Sequence, residues 1–264
     1  MGRLRTTGYV GDPRIKPHYG SVEVNWGHPL SQNLRGCWLF NETIGSPRNL
    51  AKQRNVGTLT GGVAWTPSPR GPVLKFDGSS GKVTFTQYPS TVTGPFTWLV
   101  DVKPSGSGEK EIIDTGQPGL TFGAIGATLL FWDGSFFTSS ALPDEWVRVA
   151  AVRDGSNFKS LYLNGRLDAS GAGTGQELLT TLSIGALVSG GREFPGSIGH
   201  LFIYDAALSA SLVAWAGAEP YAGLSPIVRR RYFIFTPAAA PGGTTIFRQE
   251  HVGQGIGRGV FVGR

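Results

Sequence analysis

Apolar and polar residues alternate over much of the chain between residues 35 and 223, and a period of two predicts strands. Phe96, Trp98, Val100 and Val102 alternate with Thr97, Leu99, Asp101 and Lys103. The run from Glu145 to Arg153 has few polar breaks, which predicts a central strand covered on both faces. Lys159 to Asn164 predicts the next strand. Asn164-Gly165 after it is the strongest hairpin signal in the chain, because a type I′ turn needs two residues at positive φ. Asp77-Gly78, Asp133-Gly134 and Asp154-Gly155 predict further turns, and Ser197 to Asp205 a last long strand. One helix is predicted, with Ser209 as N-cap, Ala210 to Ala216 as body and Gly217 as stop, and with Pro220 barring continuation. Roughly a dozen strands and one short helix describe an all-β sandwich.

The flanks lack this period. Residues 1–34 contain Asp12-Pro13, Lys16-Pro17 and His28-Pro29, and proline removes donors and favours extended geometry, so an extended arm is expected. After Gly223, Arg229, Arg230 and Arg231 precede the aromatic run that holds Phe233 and Phe235. Gly253, Gly255, Gly257 and Gly259 then fall at every second position. In a strand they would form one bare face that another backbone could approach closely; the other reading is a flexible tail. The expected organisation is an N-terminal arm (1–34), an all-β sandwich domain (35–223) and a basic, Gly-rich anchoring arm (224–264).

Charge follows the same division. Residues 35–223 carry 14 Lys/Arg and 15 Asp/Glu, whereas residues 224–264 carry six Arg and one Glu. A near-neutral body with basic flanks predicts arms that dock on acidic protein surfaces, on neighbouring copies or other components of a larger particle. Nucleic acid is disfavoured because the body has no basic face. Cys37 stands alone, so no intrachain disulfide can form, and its apolar neighbours predict a small buried hydrophobe. The N-terminus has no apolar h-region and no run approaches the ~18 apolar residues of a membrane span, so synthesis without Sec export and no membrane partner are expected.

Glycoside hydrolysis needs two carboxylates across the scissile bond, and the nearest run is Glu109-Lys-Glu-Ile-Ile-Asp114. Simple alternation puts Asp114 on the face opposite Glu109 and Glu111, on a solvated edge strand, so no catalytic residues and no enzyme activity are expected. The four histidines are scattered, so no metal site is assigned; calcium stays open through Asp77, Asp114, Asp133 and Asp154 near turns, and no other cofactor is indicated. No phosphate-binding loop occurs. A sugar platform needs exposed aromatics beside polar groups. Phe131-Trp-Asp-Gly-Ser-Phe-Phe137 offers Trp132, Asp133 and Phe136 as carbohydrate-binding candidates, with hairpin packing as the competing use, and Trp65 and Trp98 are expected in the core.

Several stretches, in order, resemble laminin-G-like, concanavalin A-like jelly rolls: Gly36-Cys-Trp-Leu-Phe-Asn-Glu42, Gly57-Thr-Leu-Thr-Gly-Gly62, Leu74-Lys-Phe-Asp-Gly78, Phe96-Thr-Trp98, Trp146 to Gly155, Leu161-Tyr-Leu-Asn-Gly165, Ile184-Gly185, Phe194 to Ile198 and Ile203 to Ser209. The resemblance implies a concanavalin A-like jelly-roll β-sandwich with one short C-terminal helix. The flanks Val24-Asn-Trp-Gly-His-Pro-Leu30, Glu219-Pro-Tyr221 and Pro226 to Tyr232 look like those of bacteriophage and prophage virion proteins. This implies a structural protein of the virion (capsid decoration, head fibre or tail-associated) that displays the jelly roll. Its arms would anchor it through Arg229, Arg230, Arg231, Phe233, Phe235 and the alternating glycines. The alternative is a carbohydrate-binding module adhering to glycans; a glycosidase or depolymerase is the weakest reading.

Overall fold

The computed structural model describes residues 11–51, 56–85, 94–106, 108–116, 121–125, 128–132, 136–174 and 181–227. The chain divides into two units, Met1–Ile227 and Val228–Arg264, and the second lies outside the described residues.

The strands run β1 (Val22–Val24), β2 (Leu34–Trp38), β3 (Thr58–Thr60), β4 (Val63–Thr66), β5 (Val73–Asp77), β6 (Lys82–Phe85), β7 (Phe96–Pro104), β8 (Glu109–Asp114) and β9 (Thr121–Ile125). They continue with β10 (Thr128–Trp132), β11 (Phe136–Ala141), β12 (Val147–Arg153), β13 (Phe158–Leu163), β14 (Arg166–Ala172), β15 (Leu182–Ile184) and β16 (Pro195–Tyr204). Helix α1 (Ala210–Ala218) and β17 (Leu224–Pro226) follow.

Two antiparallel sheets form the sandwich. One has the order β11-β10-β9-β8-β15-β6-β3; the other has β14-β13-β12-β7-β16-β5-β4, with β2 also pairing β16. Between them lies an aromatic core that includes Trp38, Phe76, Phe85, Phe96, Trp98, Phe122 and Phe131. Trp65 sits at its margin and donates its indole N–H to the Gly45 carbonyl at 2.9 Å.

The turn chemistry reads as expected at Asn164 (φ 49°) and Gly165 (φ 80°), which close the β13–β14 hairpin. At the Asp154-Gly155 turn the positive φ falls on Asn157 (62°). Asp154 accepts hydrogen bonds there from the Ser156 and Phe158 amides.

Strands β7, β12 and β16 of the second sheet are buried on both faces over most of their length because a third layer covers its outer side. Cys37, Phe202, Leu99, Ala150 and Tyr162 form one outward row across β2, β16, β7, β12 and β13. That row packs under Val22, Val24, Leu30, Val213, Ala216, Tyr221 and Leu224. The thiol of Cys37 is fully buried, and burial pushes its pKa up.

The flanks expected as arms therefore begin differently. Val22–Val24 pairs with Leu224–Pro226, and Pro29–Ser31 forms a short 3-10 helix, so both segments belong to the packed unit. Composition hid this because the few apolar residues involved pair across nearly the whole length of the chain.

Helix α1 has the predicted cap, Ser209 Oγ accepting from the Leu212 amide at 3.4 Å, but it runs past Gly217 to Ala218. Gly217 is a contact residue, not a stop. A Cβ there would lie 2.6 Å from the Gly165 Cα, so the helix rests directly on the β13–β14 turn.

Candidate functional site

A transverse row crosses the outer face of the seven-stranded sheet. Thr58 on β3 pairs with Thr84 on β6, which pairs with Ser183 on β15, then Asp114 on β8 and Thr121 on β9. The register continues through Trp132 on β10 to Phe136 on β11, at the end of the sheet. Directly paired residues share a face. The alternate neighbours Val83, Ile113, Phe122 and Phe131 all enter the core, which fixes the row as the outward one. Two of the three sugar-platform candidates, Trp132 and Phe136, thus stand at facing register positions; Asp133 lies outside the described residues. So do Arg229, Arg230, Arg231, Phe233, Phe235, Gly253, Gly255, Gly257 and Gly259.

The carboxylate run behaves differently from the alternation-based expectation. β8 is the central strand of its sheet, not a solvated edge. Its register shifts between Glu111 and Ile113, so Ile112 is an extra residue, and both Ile112 and Ile113 enter the core. A bulge of this kind re-aims everything beyond it. Asp114 lands on the face of Glu111, near enough to act on its charge. Glu111 is fully buried, with Oε1 accepting from Arg192 Nη1 at 3.0 Å and Oε2 without a hydrogen-bond partner. Arg192 also pairs with Glu109 at 2.9 Å. Asp114 accepts from Thr121 Oγ1 at 3.0 Å and from the Val188 amide at 2.6 Å. The loop that carries Val188 and Arg192 therefore sits on the middle of the face.

Burial pushes the Glu111 carboxyl up to about 8; Arg192 opposes this, while Asp114 and Glu109 add to it. An unfolded glutamate titrates near ~4.3. As pH rises from there to about 8, the unfolded chain gives up the Glu111 proton first, so wild-type stability falls across that window. Glu111→Gln has no such loss. Its stability relative to wild type is expected to improve by about 4 kcal/mol between pH 5 and pH 9, read as thermal midpoints of both proteins at each pH. A difference that stays flat with pH would contradict the assignment.

Three of the calcium candidates, Asp77, Asp114 and Asp154, are engaged within the protein; Asp133 lies outside the described residues. Asp77 Oδ1 accepts from the Ser79, Ser80 and Gly81 amides and Oδ2 from the Ser79 and Ser80 hydroxyls, which holds its carboxyl well below the usual range. Asp154 and Asp114 are taken as described above. Among the described residues no cluster of three or more His, Cys, Asp or Glu could hold a metal ion.

A second buried ionic group lies on the outer side of the eight-stranded sheet. His200, Asp101 and Arg148 are direct cross-strand neighbours on β16, β7 and β12. Arg70 Nη1 donates to both Asp101 oxygens at 2.7 Å, and Arg148 Nε lies 3.9 Å away. Lys16 reaches in from the N-terminal segment and donates to the Phe40 and Pro72 carbonyls. Periodicity marked Asp101 as an outward strand residue but could not reveal its partners, which come from three distant segments.

Comparison with known proteins agrees with this architecture. No curated protein matches the chain by sequence. Among solved structures, the binding domain of Paraclostridial Mosquitocidal Protein 1 superimposes with a TM-score of 0.60 at 13% identity, over 71% of this chain and 52% of that one. The binding domain of Botulinum Neurotoxin DC, solved in complex with SialylT, gives a TM-score of 0.57 at 15% identity, over 71% and 52%. The chain thus spans about half the length of these toxin binding domains. Domain 4 of AbnA, a GH43 extracellular arabinanase from Geobacillus stearothermophilus in complex with arabinotriose, gives 0.55 at 18% identity, over 70% of this chain and 98% of that domain. The sequence profile described as "Concanavalin A-like lectin/glucanases superfamily" (Laminin_G_3) matches residues 77–214, more than half of the chain. With its two antiparallel sheets and its aromatic inter-sheet core, the chain belongs to that superfamily.

Proposed function

We propose that the protein is a lectin-like display module of a bacteriophage virion, which binds glycans without cleaving them and is held in the particle through the segment after Ile227. The observation that carries the binding reading is the transverse row. Its one carboxylate, Asp114, is buried and committed to Thr121 and the Val188 amide, the nearby Glu111 is held by Arg192, and its aromatic positions, Trp132 and Phe136, stand at the end of the sheet. Hydrolysis needs two carboxylates facing one bond with room for water; binding needs only an aromatic surface beside hydroxyl partners. Two of the structural neighbours were solved in complex with a glycan, SialylT and arabinotriose, and this supports the same reading.

Support for display comes from the ends of the packed unit. The Ile227 amide donates to the Ser21 carbonyl at 2.8 Å, so the C-terminal segment departs from a fixed point on the body. That segment holds nearly all the excess positive charge, and its flanking motifs resemble those of virion proteins. The test is a chain truncated after Ile227, made in the phage that carries the gene. The truncated jelly roll is expected to keep its thermal midpoint and to disappear from purified particles. Incorporation at the full-length level would overturn the anchoring role.

A further inference from the structure

The third layer and the eight-stranded sheet enclose, at one end of β2 and β16, an open concavity of about 730 Å³. Its lining combines one indole ring with several polar side chains: Trp26, Gln32, Asn33, Arg35 and Asp205. The volume falls within the ~300–1,000 Å³ range of small-molecule sites. We propose that this concavity is a second glycan site, distinct from the β10–β11 hairpin and selective for neutral sugars. The inference rests on the glycan-binding reading above and locates a further contact.

The chemistry matches a sugar ring, which has an apolar C–H face and a rim of hydroxyls that both donate and accept. Trp26 is 38% exposed and supplies the amphipathic platform. Arg35 donates through Nε to Asp205; among the described residues its other guanidinium N–H groups and the second Asp205 oxygen meet no further side chain, so they face ligand hydroxyls. The Asn33 carboxamide, donor and acceptor in one group, has no hydrogen-bond partner among the described residues. Among the described residues the lining holds one cation, Arg35, met by one anion, Asp205, so this described lining carries no net charge with which to select an acidic sugar.

The groups are also held in place before any ligand arrives. Asn33 adopts φ 58°, and its carbonyl accepts from the Asp205 amide at 3.0 Å. Gln32 Nε2 donates to the Trp26 carbonyl at 3.2 Å, tying the loop of the indole to the start of β2. Side chains fixed in this way lose little freedom on binding.

The test uses the full-length protein on an array of neutral arabino-, xylo- and manno-oligosaccharides beside sialylated ones. Wild type, Trp26→Ala, Trp26→Phe, Asp205→Asn and Trp132→Ala are compared. At least one neutral probe is expected to bind about tenfold more weakly to Trp26→Ala and to Asp205→Asn. The same probe should be held nearly as well by Trp26→Phe, and Trp132→Ala reads the hairpin row separately. Should Trp26→Ala fail to fold, the comparison of Asp205→Asn with Trp26→Phe carries the test. If wild type binds glycans and neither Trp26→Ala nor Asp205→Asn changes any of them, this site falls and the glycan-binding reading stands. If the affected probes are sialylated only, the neutral selectivity is wrong. If wild type binds no probe, both fall.

Discussion

Asp101→Ala is expected to cost about 3–5 kcal/mol of folding stability, the penalty for removing one partner from a buried ion pair. Asp101 is fully buried and receives both 2.7 Å contacts from Arg70. Burial pushes its carboxyl up, and Arg70, then Arg148 and Lys16, pull it back. The intact group therefore contributes modest net stability, because desolvation offsets much of the attraction. Its loss is a different matter. Arg148 and Lys16 would stay in the same buried pocket with no carboxylate from β7, and burial already lowers Lys16 to about 7. Domains of this kind hold only ~5–15 kcal/mol in total, so the variant should unfold at a much lower urea concentration with an unchanged slope. Asp101→Asn keeps an acceptor for Arg70 and should lose less. A loss below about 1 kcal/mol for the alanine variant would contradict this picture of the site.

Trp98→Ala is the second large effect, again about 3–5 kcal/mol. Trp98 is fully buried in the centre of β7, its ring 5.1 Å from Phe96, 6.3 Å from Phe131 and 6.4 Å from Phe122. Truncation opens a cavity walled by three aromatic rings on both sheets, and these cannot collapse without moving strands. Trp98→Phe should be far milder. The Trp98 indole N–H has no hydrogen-bond partner, so phenylalanine removes an unsatisfied buried donor as well as some volume. Chemical denaturation of the two variants side by side measures the difference; equal losses would mean that the cavity is not the cause.

These two residues show how unevenly the sequence reports the structure. The alternation from Phe96 to Lys103 placed Trp98 in the core and Asp101 opposite it, because one strand's faces follow from its own period. The Asn164-Gly165 turn and the Ser209 cap were equally legible, since each depends on one or two residues. The partners of Asp101 were not, because Lys16 and Arg70 arrive from elsewhere in the chain. The same holds for the bulge at Ile112. Nothing within Glu109 to Asp114 marks it, and only the pairing with β9 reveals that Glu111 and Asp114 share a face. Residues 22–31 read as an arm because no strand or helix period runs through residues 1–34, yet three apolar side chains suffice to bind them to the sheet. Trp26 stood outside every strand pattern, and Arg35 and Asp205, its neighbours in the concavity, are 170 residues apart. Gly217 shows the converse, a residue whose familiar role as a helix stop gave way to close packing on Gly165.

The central claim is recognition of a glycan without its hydrolysis. It is tested most directly by incubating the full-length protein with the array-positive oligosaccharides, measuring binding by calorimetry and analysing the recovered sugars by mass. The account predicts saturable binding and recovery of each oligosaccharide at its original length. Shortened products would make the protein a glycosidase, and the absence of binding to every glycan would leave the jelly roll as a scaffold alone; either result contradicts it.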